Sequence, residues 1–469
     1  MSEEKGKYFD DSNSQKMVNR FEDMLRKQQQ CYFDVYEFEE IIDYYLQEEK
    51  VNSAYQAINF AFKQHPNSIE LQLKKAMVLF DKGKFNESLE LIKFIEKIET
   101  SNPDMYMLKG NIYVINNEIE KAIVAFDKAI ANSSEEKQDN LFQCAVCLIS
   151  SAYIEEASRY LETAYRNYPF NESVVYELAF CYEEMEMFDK SIDLYVEYLD
   201  ELPFSDNVWY NLGVVYSKSD NLTKAIDAYE YALAINESYS SAYFNIANIY
   251  ANNEDYQKAI DIYSHFLTLE ENNIQALNYI GECYEKLEDF DNSELFYKKV
   301  LAIEPKYADA WYGLGLVSFY RDNYIESFDF IKKAIAINES NPEYWFTLAN
   351  LQTKNENFAE AEQSYKKATE LDPNDDELWV GFSDLYFNQN KITEAISVLR
   401  EGYNILNDSA DINYRLAAYY LEDNNWKQAF SYLESGLSID IDKLDDFLEN
   451  CPQAQSDNEM NELITKYKK

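Results

Sequence analysis

The sequence predicts an all-α fold, a solenoid of about twelve helix–turn–helix repeats, because small residues recur at a fixed interval. Each of these residues is Ala or Ser and follows the previous one by 34 or 35 positions. They are Ala54, Ser88, Ala122, Ala157, Ser191, Ala225, Ala259, Ser293, Ser327, Ala361, Ala395 and Ala429. Two further observations, the spacing of large apolar residues and the placement of proline, predict what one repeat contains.

Each repeat is predicted to hold two short amphipathic helices. The units begin at Val35, Ile69, Pro103, Gln138, Glu172, Asp206, Ser240, Ile274, Ala308, Pro342, Asp376 and Ala410. Within a unit, large apolar residues fall at positions 4, 7, 11 and 24, and small residues fall at positions 8 and 20. Gaps of three, four and seven residues place each set on one face of a helix. The small residues then let two helix backbones approach closely, and a larger side chain there is expected to overpack the contact.

Proline marks the turns between repeats. Five of the eight prolines lie at position 32 of a unit and two more open a unit: Pro66, Pro169, Pro203, Pro305 and Pro373, then Pro103 and Pro342. Proline breaks a helix interior but is tolerated in the first turn, so this placement separates the predicted helix pairs. With ten glycines in 469 residues, long flexible linkers are not expected.

The ends of the array differ from its repeats. Residues 1–15 are polar and are predicted to be disordered, and residues 16–34 are predicted to form an N-terminal capping helix. The twelve repeats span residues 35–443 as one continuous domain, and residues 444–469 form a C-terminal capping segment. Such covers are expected because the end units of a solenoid would otherwise expose an apolar face.

The repeat pattern resembles the tetratricopeptide repeat family, whose motif has an aromatic at position 4, Leu at 7, Gly or Ala at 8, Tyr at 11, Ala at 20 and 27, an aromatic at 24 and Pro at 32. Two units match it in sequence: Trp209, Leu212, Gly213, Tyr216, Ala225, Tyr229 and Ala232, then Trp345, Leu348, Ala349, Ala361, Tyr365, Ala368 and Pro373. The resemblance implies a right-handed superhelix in which positions 2, 5, 9, 12 and 13 of the first helices line a concave groove.

Composition narrows the classes of partner. A formal net charge of −44 argues against nucleic acid and against anionic membrane surfaces, both of which need clustered Lys and Arg. No apolar run approaches the roughly 20 residues that cross a bilayer, and the first residues lack the apolar core of a secretory signal. We therefore expect a cytoplasmic protein without membrane insertion. The six cysteines fit that expectation, because several occupy helix positions of the repeat rather than a disulfide framework.

No residue constellation indicates catalysis, a cofactor or a metal. The chain has two histidines, His65 and His265, about six repeats apart. Its one Cys-x-x-Cys pair, Cys144 and Cys147, shares a helix face with packing positions and has no second pair to complete a zinc site. Gly-rich phosphate loops are absent from the sequence. We expect a protein that is not an enzyme and that carries no cofactor.

An aromatic ladder is the first candidate binding feature. Position 5 of nine successive repeats holds Phe142, Tyr176, Tyr210, Phe244, Asn278, Tyr312, Phe346, Val380 and Tyr414. Regularly spaced aromatic faces offer contact area to an extended peptide or to a partner helix at low entropic cost. The alternative is that these side chains pack against their own neighbours, and the sequence leaves the two interpretations open.

Acidic residues beside this ladder are the second candidate. Glu172 to Asp206 contains eleven acidic residues and one Lys, with Glu183 and Glu184 at groove positions near Phe180. Glu282 and Glu285 occupy groove positions three repeats later. Aromatic rings with carboxylates around them suit a basic or amphipathic segment of another protein. The alternative is a solvated acidic face that serves solubility.

The predicted function is therefore a protein–protein interaction scaffold or adaptor. A co-chaperone is an alternative in the same class. Some tetratricopeptide domains clamp acidic chaperone tails with Lys, Asn and Arg, but Asn211 and Asn245 at position 6 are not followed by a groove Lys–Arg pair. A regulatory or substrate-recognition subunit of a separate enzyme is the other alternative. Partner identity and oligomeric state do not follow from the sequence.

Overall fold

The computed structural model describes residues 11–133, 137–452, 454 and 457–468. Twenty-seven helices with defined bounds lie in these ranges, and none of their residues is in a strand. The helices are α1 (Asp11–Lys27), α2 (Val35–Gln47), α3 (Val51–Gln64), α4 (Ile69–Asp81), α5 (Phe85–Ile95), α6 (Pro103–Ile115), α7 (Ile119–Asn132), α8 (Lys137–Ile149), α9 (Ile154–Asn167), α10 (Glu172–Glu184), α11 (Phe188–Glu201), α12 (Asp206–Lys218), α13 (Leu222–Ile235), α14 (Ser240–Asn252), α15 (Tyr256–Leu269), α16 (Ile274–Lys286), α17 (Phe290–Ile303), α18 (Ala308–Tyr320), α19 (Tyr324–Ile337), α20 (Pro342–Lys354), α21 (Phe358–Leu371), α22 (Asp376–Phe387), α23 (Ile392–Tyr403), α24 (Ala410–Glu422), α25 (Trp426–Ile439), α26 (Leu444–Asn450) and α27 (Asn458–Tyr467).

Consecutive helices from α2 to α25 pack as twelve pairs, and the two helices of each pair contact one another more extensively than either contacts other helices. The difference is small only for the pair α10 and α11, whose helices contact α9 and α12 almost as extensively. The predicted all-α fold of repeated helix pairs is confirmed. By its contacts the chain divides into two compact units, Met1–Ile235 and Asn236–Lys469. The division falls in the turn after the sixth pair.

In every helix pair, the turn between the two helices contains one residue with a left-handed backbone conformation. This residue is Glu49, Gly83, Asn117, Ala152, Glu186, Asp220, Glu254, Glu288, Asp322, Glu356, Asn390 or Asn424, with φ between 55° and 70°. Only one of the twelve is glycine, although glycine adopts this conformation without steric cost. Six of the others are Glu or Ala, so tertiary packing of the helix pairs holds these tight turns despite an unfavourable local preference.

The small residues that define the repeat lie where two helices meet. All twelve position-20 residues are fully buried. At position 8, a Cβ atom added to Gly110 would lie 2.2 Å from the ring of Phe126, which occupies position 24 of the same pair. Where position 20 is serine, its hydroxyl can close the contact, as when Ser88 Oγ donates to the carbonyl oxygen of Ala76 across 2.7 Å. Close approach of the two backbones thus explains why the sequence keeps these positions small.

In four repeats, tryptophan at position 4 joins the first helix to the turn before it by a hydrogen bond. The indole nitrogens of Trp209, Trp311 and Trp379 donate to the carbonyl oxygens of the prolines at position 32, across 2.9–3.0 Å. Trp345 makes the same bond to Glu339, which holds that position in its repeat. These bonds satisfy a backbone acceptor at each turn and orient the incoming helix.

Both ends of the array carry additional helices. Helix α1 begins at Asp11, five residues before the predicted start of the N-terminal capping helix, and buries Val18, Phe21 and Met24 against α2 and α3. Residues 1–10 of the predicted disordered segment lie outside the described residues. Helices α26 and α27 join the core of the last two repeats through a group of apolar side chains: Leu444, Phe447, Leu448, Met460, Leu463 and Ile464.

Candidate functional site

The first helices of the pairs form an inner layer within each unit. In the first unit α2, α4, α6, α8 and α10 contact in series, and in the second unit α16 contacts α18 while α20, α22 and α24 contact in series. Between second helices of neighbouring repeats, the described residues show at most marginal contact. Helices that are closer together line the inside of a curved array, so the first helices supply the inner face of each unit.

The ladder residues at position 5 are half-buried or buried on this inner layer. Asn278 and Tyr414 are buried, and Phe142, Tyr176, Tyr210, Phe244, Tyr312, Phe346 and Val380 are half-buried. Several of their rings pack against the position-24 ring of the same repeat. Centroid separations are 6.5 Å for Tyr176 with Tyr195, 5.5 Å for Tyr210 with Tyr229, 5.8 Å for Phe244 with Tyr263 and 5.8 Å for Phe346 with Tyr365. The ladder therefore divides its surface between core packing and solvent, so it does not present free aromatic faces.

In the first unit, the predicted acidic residues are already partly neutralised. Glu183 on α10 is mostly buried and forms an ion pair with Lys218 of α12, with 2.7 Å between Nζ and Oε2. Glu184 is exposed, and Phe180 beside it is 41% exposed. Sequence analysis missed Lys218, although it stands at position 13 of the next repeat, where the same numbering predicts a groove residue. Phe180 and Glu184 remain open to a ligand here, whereas Glu183 is engaged.

In the second unit, the predicted acidic residues lie together on α16. Glu282 is exposed, and its Oε1 accepts a hydrogen bond from Nδ2 of Asn278 across 2.6 Å. Glu285 is half-buried, and its Oε2 accepts from the hydroxyl of Tyr297 across 3.1 Å. The structure thus brings together three residues that the sequence predicted for the groove.

Two further carboxylates, which sequence analysis missed, act on the same place. Asp309 on α18 is exposed and accepts a hydrogen bond from the hydroxyl of Tyr344, and Glu343 on α20 is exposed one residue earlier in that helix. The negative charges of Asp309 and Glu343 both raise the pKa of Glu282. Both residues stand at position 2 of their repeats, so reading that position along the chain would have found them. We call Glu282, Glu285, Asp309 and Glu343 the acidic cluster.

Burial and mutual repulsion raise the pKa values of carboxyl groups in the acidic cluster. Removal from water, followed by the charges of Asp309 and Glu285, raises the pKa of Glu282 to about 7, and the hydrogen bond from Asn278 opposes this increase. Removal from water also raises the pKa of Glu285 to about 7, against the lowering effect of the Tyr297 hydrogen bond. Glu282 is exposed to solvent in part, and the charges that act on it come from α18 and α20 as well as from its own helix. Carboxylates with raised pKa values favour a ligand that brings positive charge.

A cavity of about 370 Å³ lies farther along the second unit, between α22, α24 and α26. It is lined by Tyr414, the last ladder residue, and by the cations Arg415 and Lys443. Arg415 pairs with Asp384 at 3.5 Å, and Lys443 pairs with Asp411. These two cations already have acidic partners, so the cavity does not form a free anion clamp.

Two features are missing from the residues that the structure describes. No group of three or more His, Cys, Asp or Glu side chains in them is arranged to hold a metal ion. None of their helices combines the length and the apolar character needed to cross a membrane. Burial raises the pKa of both Cys144 and Cys147, as expected of thiols that pack in a helical layer.

The repeated pairs, the small residues between their helices and the inner layer of first helices define a class, the helical-repeat proteins. Models of the tetratricopeptide repeat match five segments: residues 207–239 and 342–375 with one model, and residues 103–135, 240–273 and 274–307 with another. The chain contains tetratricopeptide repeats in these segments, as its resemblance to that family predicted.

Three solved structures align with this chain. The crystal structure of yeast Tom70 is 14% identical and aligns over 91% of this chain and 98% of its own, with a TM-score of 0.46. A tetratricopeptide repeat protein from Parabacteroides merdae is 18% identical over 56% of this chain and 99% of its own, with a TM-score of 0.42. MamA is 21% identical over 34% of this chain and 95% of its own, with a TM-score of 0.33. No curated protein matches the sequence.

Proposed function

We propose that this protein is a non-enzymatic scaffold or adaptor that binds a peptide or a helix of a partner protein along the inner face of its first helices. The observation that carries the proposal is the acidic cluster, which concentrates four carboxylates on successive first helices of one unit. Tetratricopeptide repeats support protein binding in general, and a surface of half-buried rings beside exposed carboxylates suits a basic or amphipathic segment. We also propose a cytoplasmic location, on the composition and the unpaired cysteines.

A site-specific photo-crosslinking experiment tests the proposal. A photoreactive phenylalanine analogue replaces Phe180 or Glu343 on the inner face, and replaces Val124 or Ile325 in matched outer-face controls. The two control positions are 58% and 83% exposed on second helices, so they report contacts made anywhere on the outside. Each protein is irradiated in native lysate, and the crosslinked proteins are identified by mass spectrometry.

We expect specific protein adducts from the inner positions and none of the same proteins from the outer positions. Adducts confined to the outer positions, or no adduct from any position, would contradict the proposed binding face. The identity of the adducts also separates the two alternatives. A chaperone would indicate a co-chaperone, and an enzyme captured in fixed ratio would indicate a regulatory or substrate-recognition subunit.

A further inference from the structure

Four carboxylates of the second unit face the inner layer without a basic partner. Glu282 and Glu285 project from α16, Asp309 from α18 and Glu343 from α20. Among the ion pairs of the described residues, which reach 4.0 Å, none involves these four side chains. Three of the four carboxylates are exposed, so a ligand can reach them. A group of like charges held together in this way is costly unless a cation joins it.

A second observation at the same place points to a missing donor. Asn278 is 2% exposed, and its Oδ1 is buried without a hydrogen-bond partner while its Nδ2 bonds to Glu282. Because Oδ1 and Nδ2 share one planar carboxamide, the unpaired acceptor lies beside the cluster. An unsatisfied buried acceptor costs about 1–3 kcal/mol. Asn278 also interrupts the aromatic ladder, so an apolar packing role does not explain it.

Half-buried tyrosines border the same carboxylates. Charges of Glu282 and Asp309 raise the pKa values of Tyr279 and Tyr307, after the larger effect of burial, which shows that both phenols lie near the cluster. The ring of Tyr312 on α18 packs against that of Tyr344 with 4.8 Å between centroids, and its hydroxyl lies 3.0 Å from Oγ1 of Thr347. Rings of this kind pack against the aliphatic stem of a long cationic side chain and attract its charged end.

We propose that the acidic cluster on α16, α18 and α20 is a receptor for a lysine or arginine side chain of the partner protein. The proposal rests on the proposed function and names the part of the inner face that recognises the partner. The carboxylates supply acceptors only, and the unpaired Oδ1 of Asn278 is a further acceptor beside them. An ammonium or guanidinium group supplies donors only, so the two sets are complementary. The first unit offers no equivalent receptor at Glu183, because Lys218 already fills that role from within the chain.

Proton release is expected to accompany binding. A bound cation favours the charged form of Glu282 and Glu285, whose pKa values lie near 7 in the free protein. The charged groups that act on them are Asp309, Glu343 and Lys286. Affinity for a basic ligand is therefore expected to rise between about pH 6 and about pH 8, because Glu282 and Glu285 are then ionised before the ligand binds.

The test uses a capped fluorescent hexapeptide, Ser-Leu-Lys-Arg-Leu-Ser, and a neutral analogue with norleucine and citrulline in place of the two basic residues. Binding to the full chain is measured by fluorescence anisotropy at physiological salt. The cluster variant carries Glu282→Gln and Glu285→Gln. The matched control carries Glu237→Gln and Glu271→Gln at two exposed turn residues, which changes net charge equally away from the candidate groove residues. Circular dichroism checks that both variants fold.

We expect the cluster variant to lose at least tenfold in affinity for the basic peptide, and the control variant to stay within twofold. The neutral analogue should bind wild type as weakly as the basic peptide binds the cluster variant. Equal losses in the two variants would mean general attraction to an acidic surface and would overturn the proposal, as would the absence of measurable binding.

A parallel crosslinking experiment separates this proposal from the proposed function. If inner-face crosslinks to a partner persist in the Glu282→Gln, Glu285→Gln variant at the wild-type level, the receptor proposal is wrong and the proposed function stands. If wild type gives no inner-face crosslinks, the proposed function itself has failed.

Discussion

Nδ2 of Asn278 donates a hydrogen bond to Oε1 of Glu282 across 2.6 Å, and the two residues lie one helical turn apart on α16. The bond favours the charged form of Glu282 and so lowers its pKa. Burial and the charge of Asp309 raise the pKa, and their combined effect is larger. The pair sets the position of one carboxylate in the acidic cluster, whereas burial and Asp309 bring the titration of that carboxylate near neutrality.

The variant Glu282→Gln is expected to stabilise the free protein at about pH 8 and to have less effect at about pH 5.5. A folded-state pKa near 7 means that the folded protein binds a proton more readily than the unfolded chain, whose Glu titrates near 4.5. Stability is therefore lost as pH rises from about 4.5 through 7, and an uncharged side chain escapes that loss. Thermal unfolding at the two pH values measures the difference.

Glu271→Gln is the control for that experiment, because it makes the same change in net charge at an exposed turn residue. Equal stabilisation by the two variants at both pH values would show that overall negative charge, and not the cluster, determines the effect.

Replacing Ala259 by leucine is expected to destabilise the seventh helix pair by about 1–3 kcal/mol, because the larger side chain overpacks a tight helix contact. Ala259 is fully buried at position 20 of its repeat. Hydrogen–deuterium exchange in α14 and α15 locates the loss. Ala302→Leu on the exposed side of α17 is the control and should change little. Similar exchange in both variants would mean that the contact can relax.

Trp345→Phe should cost about 1 kcal/mol of stability, since it removes the indole donor and keeps an aromatic ring. The lost bond is the one from Trp345 Nε1 to the carbonyl oxygen of Glu339, 2.9 Å long. Urea unfolding followed by circular dichroism gives the change in midpoint. Trp426→Phe, at a residue that is 42% exposed, is the comparison and is expected to be nearly neutral. A larger loss in the comparison would contradict the proposed role of the indole.

Ala152→Gly is expected to raise stability by about 0.5–1 kcal/mol. Ala152 has φ of 62°, a conformation that costs a residue with a side chain about 1–2 kcal/mol, and glycine's greater freedom in the unfolded chain offsets part of the gain. Ala418→Gly in the interior of α24 should instead lose about 1 kcal/mol. Opposite signs in the two unfolding midpoints would support the argument, and a loss in both would refute it.

Much of the fold could be predicted because each repeat has a similar pattern of small, large apolar and turn residues. Ala259 and its eleven equivalents mark the helix contacts, and Trp209 with Pro203 marks a turn, without any knowledge of distant residues. The turn residues could not be predicted in the same way. Ala152 and Glu254 have no local preference for a left-handed backbone, and they adopt it because the packed helices on either side require a tight connection.

The candidate site was predictable only in part. Numbering one repeat against the next placed Glu282 and Glu285 on the inner face, because that step needs only helical periodicity. Whether a carboxylate is free depends on which side chains approach it from neighbouring helices. Lys218 forms an ion pair with Glu183 of the preceding repeat. Asp309 and Glu343, from the two repeats that follow that of Glu282, instead place negative charge near it.

By itself, the sequence determined that this protein is an array of repeated helix pairs with a large negative net charge and a small residue at position 20 of every repeat. The tertiary structure decided which acidic residues are neutralised and which are not, and which rings of the ladder pack inward. The physical reason is that helix periodicity is a local property, whereas charge pairing, desolvation and ring packing depend on atoms brought together from three successive repeats.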